Sequence, residues 1–326
     1  MYNHPYKLSV VLPTYNRKDY LIDTLRLFEK QILRNKDRVK FIVSNNASTD
    51  GTKEAIIEYN KRNPFFEYVN YSDHVEVGES ISRTNDLATG EYILMWGDDD
   101  MPAPYLIDYL LECFDKYPEA DLIHYNRLRG RDSKEGMVQL SIQQNKIGKG
   151  DEIELPVNEL LSAHVLDMSF LTTNVFRRVF WENNKALDCS MHFGYEFMGH
   201  MLHGMEKSKA VYIEYPMCIQ RKPATRSWMK YSPKYRFVGI PNMYNDFEKW
   251  GLISNAKELW NRQGNRWNDF VSLIAQASLN KSYYRPMFKE IISHQDGLGR
   301  VCVSFFFIFM CPSWLYKVAR KLVYKG

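Results

Sequence analysis

Three consecutive carboxylates, Asp98, Asp99 and Asp100, closely follow an apolar run that ends at Trp96. Like charges at the end of a strand repel one another, so this cluster needs either a compensating cation or a solvated position. Mg²⁺ and Mn²⁺ prefer oxygen ligands and often share one or two carboxylates with the phosphates of a substrate. The cluster therefore predicts a divalent-metal site beside a phosphorylated ligand. The alternative is a solvated acidic turn that caps a helix starting near Pro102.

The elements in front of this cluster alternate between strands and helices. Leu21, Leu25, Phe28 and Ile32 recur at helical spacing, and a second amphipathic helix is predicted over residues 103–117. An α/β fold follows, with a mostly parallel sheet flanked by helices and ligands bound beyond the carboxyl ends of its strands. Four short runs rich in β-branched and aromatic residues predict the strands: "KLSVVLP" (7–13), "RVKFIVS" (38–44), "FFEYVNY" (65–71) and "EYILMW" (91–96).

The composition excludes several classes of protein. A hydrophobic share of 45% over 326 residues is sufficient for a packed core and argues against disorder. The net charge of +4 is too small to indicate nucleic-acid binding, so no nucleic-acid partner is expected. The five cysteines form no CxxC pair, which favours reduced thiols in the cytoplasm. No charged and apolar leader precedes the first strand, so we expect no secretory signal.

Three ordered motifs resemble those of the family 2 glycosyltransferases, which have the GT-A fold. They are "SVVLPTYNRKDYL", "FIVSNNASTDGT" and "SRTNDLATGEYILMWGDDD", and the resemblance covers roughly residues 7–125. It implies a nucleotide-sugar donor, a divalent metal (Mn²⁺ or Mg²⁺) on the diphosphate and inversion at the anomeric carbon. It also implies a GT-A sheet with a helical C-terminal extension.

The resemblance assigns donor-binding roles to particular residues. Asn45 and Asn46 stand where the family often has aspartate; their side chains can still accept hydrogen bonds, and they can also donate them. Arg83 would approach the diphosphate, the alternative being an exposed helix residue. Asp98 would face the ribose and donor sugar, while Asp99 and Asp100 would face the metal, with Asp98 counted among the metal-site carboxylates. The residues that would line the base and ribose are Pro13, Thr14, Tyr15, Asn16 and Arg17.

An inverting transfer also needs a general base for the acceptor hydroxyl. In "CSMHFGYEFMGHMLHG" (189–204), Glu196 aligns with the second acid of a family pair that starts a helix, and Tyr195 replaces the first. Glu196 is therefore the predicted base and Asp188 the second candidate. The alternative for Glu196 is a buried or capping acid. Arg226, in the basic segment 221–235, resembles the family loop that closes over the diphosphate, although a solvated loop is the alternative.

The C-terminal tail combines apolar, aromatic and basic residues. Residues 301–311 form an apolar run too short to cross a bilayer, and Pro312 ends it. Trp314 and the apolar residues after it form a stripe at helical spacing, with basic residues around it. This pattern is typical of a helix that lies on an anionic membrane face. We therefore expect peripheral contact with the cytoplasmic membrane through residues 301–326. A lipid-linked saccharide acceptor in bacterial surface-polysaccharide synthesis follows from that expectation. The alternative is a helix packed on the catalytic domain.

The predicted domain organisation has two parts. Residues 1–235 form the catalytic domain, with a donor half (1–125) and an acceptor half (126–235), and residues 236–326 form a helical region. A sugar nucleotidyltransferase or a dinucleotide-dependent oxidoreductase would need a glycine-rich loop after the first strand, where this chain has "PTYNRKDY". A non-catalytic glycan- or nucleotide-sugar-binding relative remains an open alternative, because Asn45, Asn46 and Tyr195 depart from the family pattern.

Overall fold

The structure, a computed structural model, describes residues 5–133, 136–142, 152–222, 234–263, 280–293, 298–312 and 314. Its first four strands are those predicted from the apolar runs. The first, second and fourth are buried along nearly their whole length, as parallel strands covered on both faces must be, whereas the third, at the edge of the sheet, is partly exposed. The strands are β1 (Leu8–Thr14), β2 (Val39–Asn45), β3 (Glu67–Asn70), β4 (Tyr92–Met95), β5 (Met101–Pro102), β6 (Ala120–Ser133), β7 (Gly136–Ile142), β8 (Glu152–Pro156), β9 (Asn174–Arg177) and β10 (Lys209–Lys222).

These strands form one mixed, mostly parallel sheet. Its order is β3-β2-β1-β4-β9-β6-β10-β5, with β7 paired to β6 and β8 paired to β10. Strands β1 to β4 run parallel, β9 runs antiparallel between β4 and β6, and β6 and β10 are parallel again. The α/β fold and its mostly parallel sheet are therefore confirmed.

The helices cover the sheet through apolar stripes. In α1, the predicted residues Leu21, Leu25, Phe28 and Ile32 are all buried, and α4 buries a similar stripe. The helices are α1 (Lys18–Arg34), α2 (Thr52–Arg62), α3 (Val77–Asn85), α4 (Leu106–Lys116), α5 (Val157–Met168), α6 (Arg178–Asn184), α7 (Glu196–Leu202), α8 (Ile240–Lys249), α9 (Ala256–Gln263), α10 (Lys281–Tyr284), α11 (Phe288–Ser293) and α12 (Leu298–Phe305).

The chain divides into two compact units. The first comprises Met1–Leu187, Phe197–Ala224 and Trp250–Leu252, and it contains the sheet. The second comprises Asp188–Glu196, Thr225–Lys249 and Ile253–Gly326. Glu196, the first residue of α7, belongs to the second unit. The predicted domain boundary at residue 235 stays a prediction.

The second unit has its own helical core. Phe237, Tyr244 and Trp260 are buried there, with ring centroids 6.2–6.3 Å apart for the two pairs that involve Trp260. Its short 3₁₀ turn Ser190–His192 contacts the π-helical turn Tyr235–Gly239 and helix α8. None of the helices within the described residues is long and apolar enough to cross a bilayer.

Candidate active site

The carboxyl ends of β1, β2, β3 and β4 bring the predicted donor-site residues together. Thr14 lies opposite Asn45 across the β1–β2 pair, and Asn45 lies opposite Asn70 across the β2–β3 pair. Strand β4 ends earlier, with Met95 opposite Val11, and the residues after it reach the edge, where Asp98 contacts Thr14. Because parallel strands all end at one edge, the loops after them meet there.

Asp98 and Asp99 share one guanidinium group. Arg17 Nη1 donates to Asp99 Oδ2 at 2.5 Å and lies 3.8 Å from Asp98 Oδ1. Thr14 Oγ1 donates to Asp98 Oδ2 at 2.7 Å, and Thr24 Oγ1 donates to the Asp98 carbonyl at 2.9 Å. Hydrogen bonds from the end of β1, from Arg17 and from helix α1 thus hold Asp98 and Asp99 in place.

Asp100 is held by a different set of groups. Thr172 Oγ1 donates to Asp100 Oδ2 at 2.5 Å, and the Arg221 backbone N–H donates to Asp100 Oδ1 at 3.3 Å. The Trp96 indole is fully buried and donates to the Asp100 carbonyl at 3.3 Å. A Cβ atom at Gly97 would lie 2.7 Å from Asp100 Oδ2, so glycine suits this turn.

The alternative interpretation of the cluster as a solvated helix cap is wrong. Asp98 is 8% exposed and Asp100 is 2% exposed. Met101–Pro102 forms strand β5 against β10, and helix α4 begins only at Leu106. Asp98 and Asp100 therefore lie buried in a turn between two strands, where solvent offsets little of their charge, and only Asp99 is partly exposed.

Burial changes the ionisation of this cluster. It raises the pKa of Asp98 to about 7, with the Asp99 charge adding to the shift and Arg17 and Thr14 opposing it. Burial and the Asp99 charge also hold the pKa of Asp100 well above its ordinary value. Burial opposes the charge on Arg17, but the adjacent Asp98 and Asp99 outweigh it and raise the Arg17 pKa. The cluster therefore favours an additional cation.

Asn45 and Asn46 form internal hydrogen bonds at the end of β2. Asn45 Nδ2 donates to Asn70 Oδ1 at 2.9 Å, and its Oδ1 accepts from the Ser48 N–H at 3.1 Å. Asn46 Nδ2 donates to the Val75 carbonyl at 2.9 Å, and its Oδ1 accepts from the Val75 N–H at 3.0 Å. Both side chains are buried, so in this structure they fix the loops around the edge.

Arg83 is not an exposed helix residue, because only 16% of its side chain is accessible. Its guanidinium donates to Asn46 Oδ1, lies 3.7 Å from the Tyr71 ring centroid and pairs with Asp73 at 3.5 Å. A cation held over an aromatic face is stabilised by the ring quadrupole. Arg83 therefore belongs to the same strand-edge cluster as Asn46, and its approach to a diphosphate stays a prediction.

Tyr15 and Asn16 form the turn that follows β1, after Pro13 near the strand end. The Tyr15 ring is 38% exposed and stacks on His74 with centroids 4.1 Å apart and an interplanar angle of 26°. Asn16 has a φ of +53° and accepts from the Thr49 N–H at 2.7 Å, which ties the loops after β1 and β2 together. An accessible aromatic face beside polar loops can stack a planar base.

The predicted general base lies in the second unit. Glu196 is the first residue of α7, as its motif predicted, and its Oε2 atom is buried without a hydrogen-bond partner among the described residues. Burial raises the pKa of the neighbouring Tyr195, whose ring lies 6.5 Å from Tyr235. Hydrogen bonds from Ser190 hold the pKa of the exposed Asp188 below its ordinary value. A carboxylate with a lowered pKa is a weaker base, which counts against Asp188 as the general base.

Tight backbone packing supports the segment that carries Glu196. Phe193 and Gly194 have φ values of +45° and +86°, and a Cβ atom at Gly239 would lie 2.2 Å from the His192 carbonyl oxygen. His192 Nε2 lies 3.0 Å from Asp246 Oδ2 on α8. The segment therefore depends on contacts with residues more than forty positions away.

Sequence reasoning missed several residues at the strand edge. Thr172 comes from the short turn Leu171–Thr173 before β9, and nothing in its local sequence indicates a contact with Asp100. His74 could have been predicted as a site residue from the sequence, because it follows β3. Ligands bind beyond the carboxyl ends of the parallel strands, and β3 is one of them. Arg226 lies outside the described residues, whereas Arg221 at the start of the same basic segment is buried and reaches the cluster through its backbone.

The described carboxylates of this edge do not form a complete metal site by themselves. Within the part of the chain that the structure describes, no group of three or more His, Cys, Asp or Glu side chains could hold a metal ion. Asp98, Asp99 and Asp100 supply the oxygen ligands that Mg²⁺ and Mn²⁺ prefer, but they point to different partners. They fit a site that uses one or two carboxylates and needs further oxygens from a ligand.

Comparisons with known proteins define the class. The family described as Glycosyl transferase family 2 matches residues 9–180, which is more than half of the chain. The chain therefore belongs to glycosyl transferase family 2.

Individual proteins match this chain either over a short segment or at low sequence identity. Abequosyltransferase RfbV of Salmonella typhimurium is 36% identical over 95 residues, a segment that covers 28% of this chain and only 28% of that relative's length. TarS 1-349 of S. aureus in complex with UDP-GlcNAc has a TM-score of 0.55 at 12% identity, covering 97% of this chain and 92% of that one.

The mannosyltransferase PcManGT of Pyrobaculum calidifontis, in complex with GDP-Man and Mn²⁺, has a TM-score of 0.54 at 13% identity. The alignment covers 99% of this chain and 89% of that one. At such low identities the solved structures show the fold alone, and that fold is GT-A. The predicted fold class is thereby confirmed.

Proposed function

We propose that the protein transfers a sugar from a nucleotide-sugar donor to a saccharide acceptor. The observation that carries this proposal is the buried carboxylate turn, Asp98 to Asp100, at the carboxyl edge of a GT-A sheet. Membership of glycosyl transferase family 2 supports the reaction class. The acceptor oxygen forms a bond to the anomeric carbon while the bond to the diphosphate oxygen breaks, with inversion.

The strand-edge loops are proposed to hold the nucleotide. The exposed face of Tyr15 would stack on the base, and its partner His74 fixes the ring. Because Asn45 and Asn46 bond internally, the base edge is expected to be recognised by neighbouring groups, of which Arg83 is the nearest cation to Asn46. An arginine there offers donors to acceptor atoms of the base or the diphosphate.

The carboxylate turn is proposed to hold a divalent cation together with the donor. Asp99, with 21% of its side chain exposed, and the neighbouring Asp98 would supply one or two oxygens. A bound cation would neutralise charge on the departing diphosphate, which contributes several kcal/mol to such reactions. Thr14 donates a hydrogen bond to Asp98 and Thr172 donates one to Asp100, so these carboxylates are positioned before a ligand arrives.

Glu196 is proposed to accept the proton of the acceptor hydroxyl. A buried carboxylate oxygen with no partner in the described part of the protein has a free lone pair for this purpose. Tyr195 beside it stays protonated because burial raises its pKa, so it can donate a hydrogen bond but cannot replace the base.

The acceptor is proposed to be a lipid-linked saccharide of bacterial polysaccharide synthesis, reached from the cytoplasmic face of the membrane. Large apolar side chains of the second unit are exposed around and after α12. They are suited to the interface of a membrane, where aromatic and apolar groups lie below the headgroups. The basic residues of the predicted tail lie beyond the described residues. The exposed apolar side chains are Leu298, Val303, Phe305, Phe306, Met310 and Trp314.

Thermal-shift measurements against a panel of nucleotide sugars, with and without Mn²⁺, test the donor proposal first. A donor at about 100 times its dissociation constant stabilises the protein by roughly 2.7 kcal/mol. The best binder is then assayed for slow hydrolysis, which an enzyme shows and a non-catalytic binding relative does not. Binding of a nucleotide sugar without turnover in any acceptor extract would favour that relative, and the absence of binding would contradict the proposal.

A further inference from the structure

Arg17 occupies the carboxylates that the proposed donor site would use. Its Nη1 atom lies 2.5 Å from Asp99 Oδ2 and 3.8 Å from Asp98 Oδ1. Only 19% of its side chain is accessible, so the pair is largely shielded from water. Among the described ion pairs, this guanidinium is the cation closest to Asp98 and Asp99.

The arrangement has a simple electrostatic basis. Two neighbouring carboxylates in a turn with little access to water repel each other and lose much of their hydration, so they need a nearby cation. Arg17 fills that need from its position at the start of α1, one residue after Asn16. A divalent cation would need the same oxygen atoms, so the two cations compete.

An aromatic ring lies beside the Arg17 guanidinium. The Tyr20 ring lies 5.9 Å from the Arg17 guanidinium carbon and 5.1 Å from that of Arg221. The aromatic face thus already attracts cations at the edge of the cluster. A diphosphate brought to this edge would offer oxygens that a guanidinium binds in pairs.

We propose that Arg17 is an internal counter-ion that a divalent cation must displace from Asp98 and Asp99. The protein alone then binds the cation weakly, because displacement leaves the guanidinium without its partners. A diphosphate accepts the displaced guanidinium, so cation and diphosphate bind cooperatively. This proposal rests on the proposed function, since it assigns the order of events at the same donor site.

Binding of Mn²⁺ alone tests the proposal directly. Electron paramagnetic resonance of free Mn²⁺ gives the affinity of the wild-type protein, of R17Q and of the control R26Q, whose exposed side chain pairs with Asp23 on the same helix. We expect R17Q to bind Mn²⁺ about tenfold more tightly than wild type, within the range of ordinary coupling energies. R26Q should bind like wild type. Equal or weaker Mn²⁺ binding by R17Q overturns the proposal.

A second measurement needs no variant, in case R17Q fails to fold. Inorganic pyrophosphate serves as the diphosphate probe, at a fixed concentration of free Mn²⁺. The increase in melting temperature of the wild-type protein with both ligands should exceed the sum of the two single increases. Additive shifts overturn the cooperative exchange.

The two proposals can fail separately. If wild type and R17Q bind Mn²⁺ equally while a nucleotide sugar is still turned over, only the counter-ion role is wrong. If R17Q binds Mn²⁺ more tightly but no nucleotide sugar binds, the counter-ion role stands and the transferase proposal fails.

Discussion

The carboxylate edge of the first unit and the segment 188–196 of the second unit position their acids by different means. At the edge, the parallel strands β1, β2 and β3 end in register, and every acid of the cluster has hydrogen-bond or ion-pair partners. The segment 188–196 is irregular, with two consecutive positive φ values, and it leaves Glu196 Oε2 without a partner among the residues described.

This difference indicates two ways of preparing an acid for chemistry. A site that binds a charged ligand is assembled in advance, because electrostatic stabilisation is strongest when the groups need not rearrange. A general base must instead keep a free lone pair for the proton that it receives. The following predictions test that distinction, beginning with the largest effect.

Replacing Asp99 and Asp100 together by asparagine should have the largest effect. The amides keep the shape of the turn but remove two charges, so Mn²⁺-dependent donor binding should be lost and transfer should fall about 10³-fold or more. Transfer rates and circular dichroism are compared with those of D115N, an exposed carboxylate on α4. Near-normal turnover in a folded double variant would show that the cluster does not serve the donor.

Glu196→Gln should bind the donor normally and still lose activity. Removing a general base costs about 10²–10⁴-fold in rate, and the amide fills the same volume. Single-turnover kinetics of E196Q and D188N make a matched pair, because both change one acid of the second unit. A large loss of the transfer rate in D188N, with an unchanged rate in E196Q, would identify Asp188 as the general base.

Membrane binding should depend on the second unit rather than the first. The triple variant F306S/M310S/W314S removes three exposed apolar side chains and should lose most of its sedimentation with anionic liposomes at low salt. The control L33S/V179S removes two exposed apolar side chains from the first unit and should bind like wild type. If both variants sedimented to the same extent, the exposed apolar side chains of the second unit would not contribute to membrane binding.

An added Cβ atom that clashes with the backbone should destabilise the unit that contains it. A Cβ atom at Gly90 would lie 2.6 Å from the Ser9 backbone nitrogen, and one at Gly239 would lie 2.2 Å from the His192 carbonyl oxygen. Gly90→Ala and Gly239→Ala should each lower the free energy of unfolding by about 1–3 kcal/mol in calorimetry.

Gly299→Ala is the matched control for these two variants, because nothing lies within 4 Å of its added Cβ atom. A loss of stability in G299A equal to that in G90A would mean that close packing is not the cause.

The smallest expected effect is the response of the first unit to acid. Burial lowers the pKa of His124 to about 3, and its Nδ1 lies 3.0 Å from Asn174 Oδ1. A histidine buried in the neutral form contributes full stability above pH 6.5 and loses it as the pH falls toward 3. Urea unfolding at pH 7 and pH 5 should show a smaller acid-induced loss in H124N than in wild type. An equal loss in both would assign the acid sensitivity to other groups.

The sequence by itself determined the regular parts of the donor edge. Apolar runs gave β1 to β4, the helical spacing of Leu21 to Ile32 gave α1, and motif order placed Thr14, Asn45 and the aspartates at one edge. The strands and the helix follow from side-chain periodicity, which acts over a few residues, and their common edge follows from the rule that parallel strands place their carboxyl ends together. Membership of the family was likewise indicated by the three motifs.

Only the tertiary structure decided how the charges of the site are balanced. Thr172 reaches Asp100 from 72 positions away, and Arg17 reaches Asp99 from 82 positions away. The same holds for the Gly239 backbone that packs against His192. Burial, which raises the pKa of Asp98 to about 7, is a property of all the elements packed around it. No local pattern encodes such contacts, because the free energy of a buried charge depends on whatever the whole fold brings within a few ångströms.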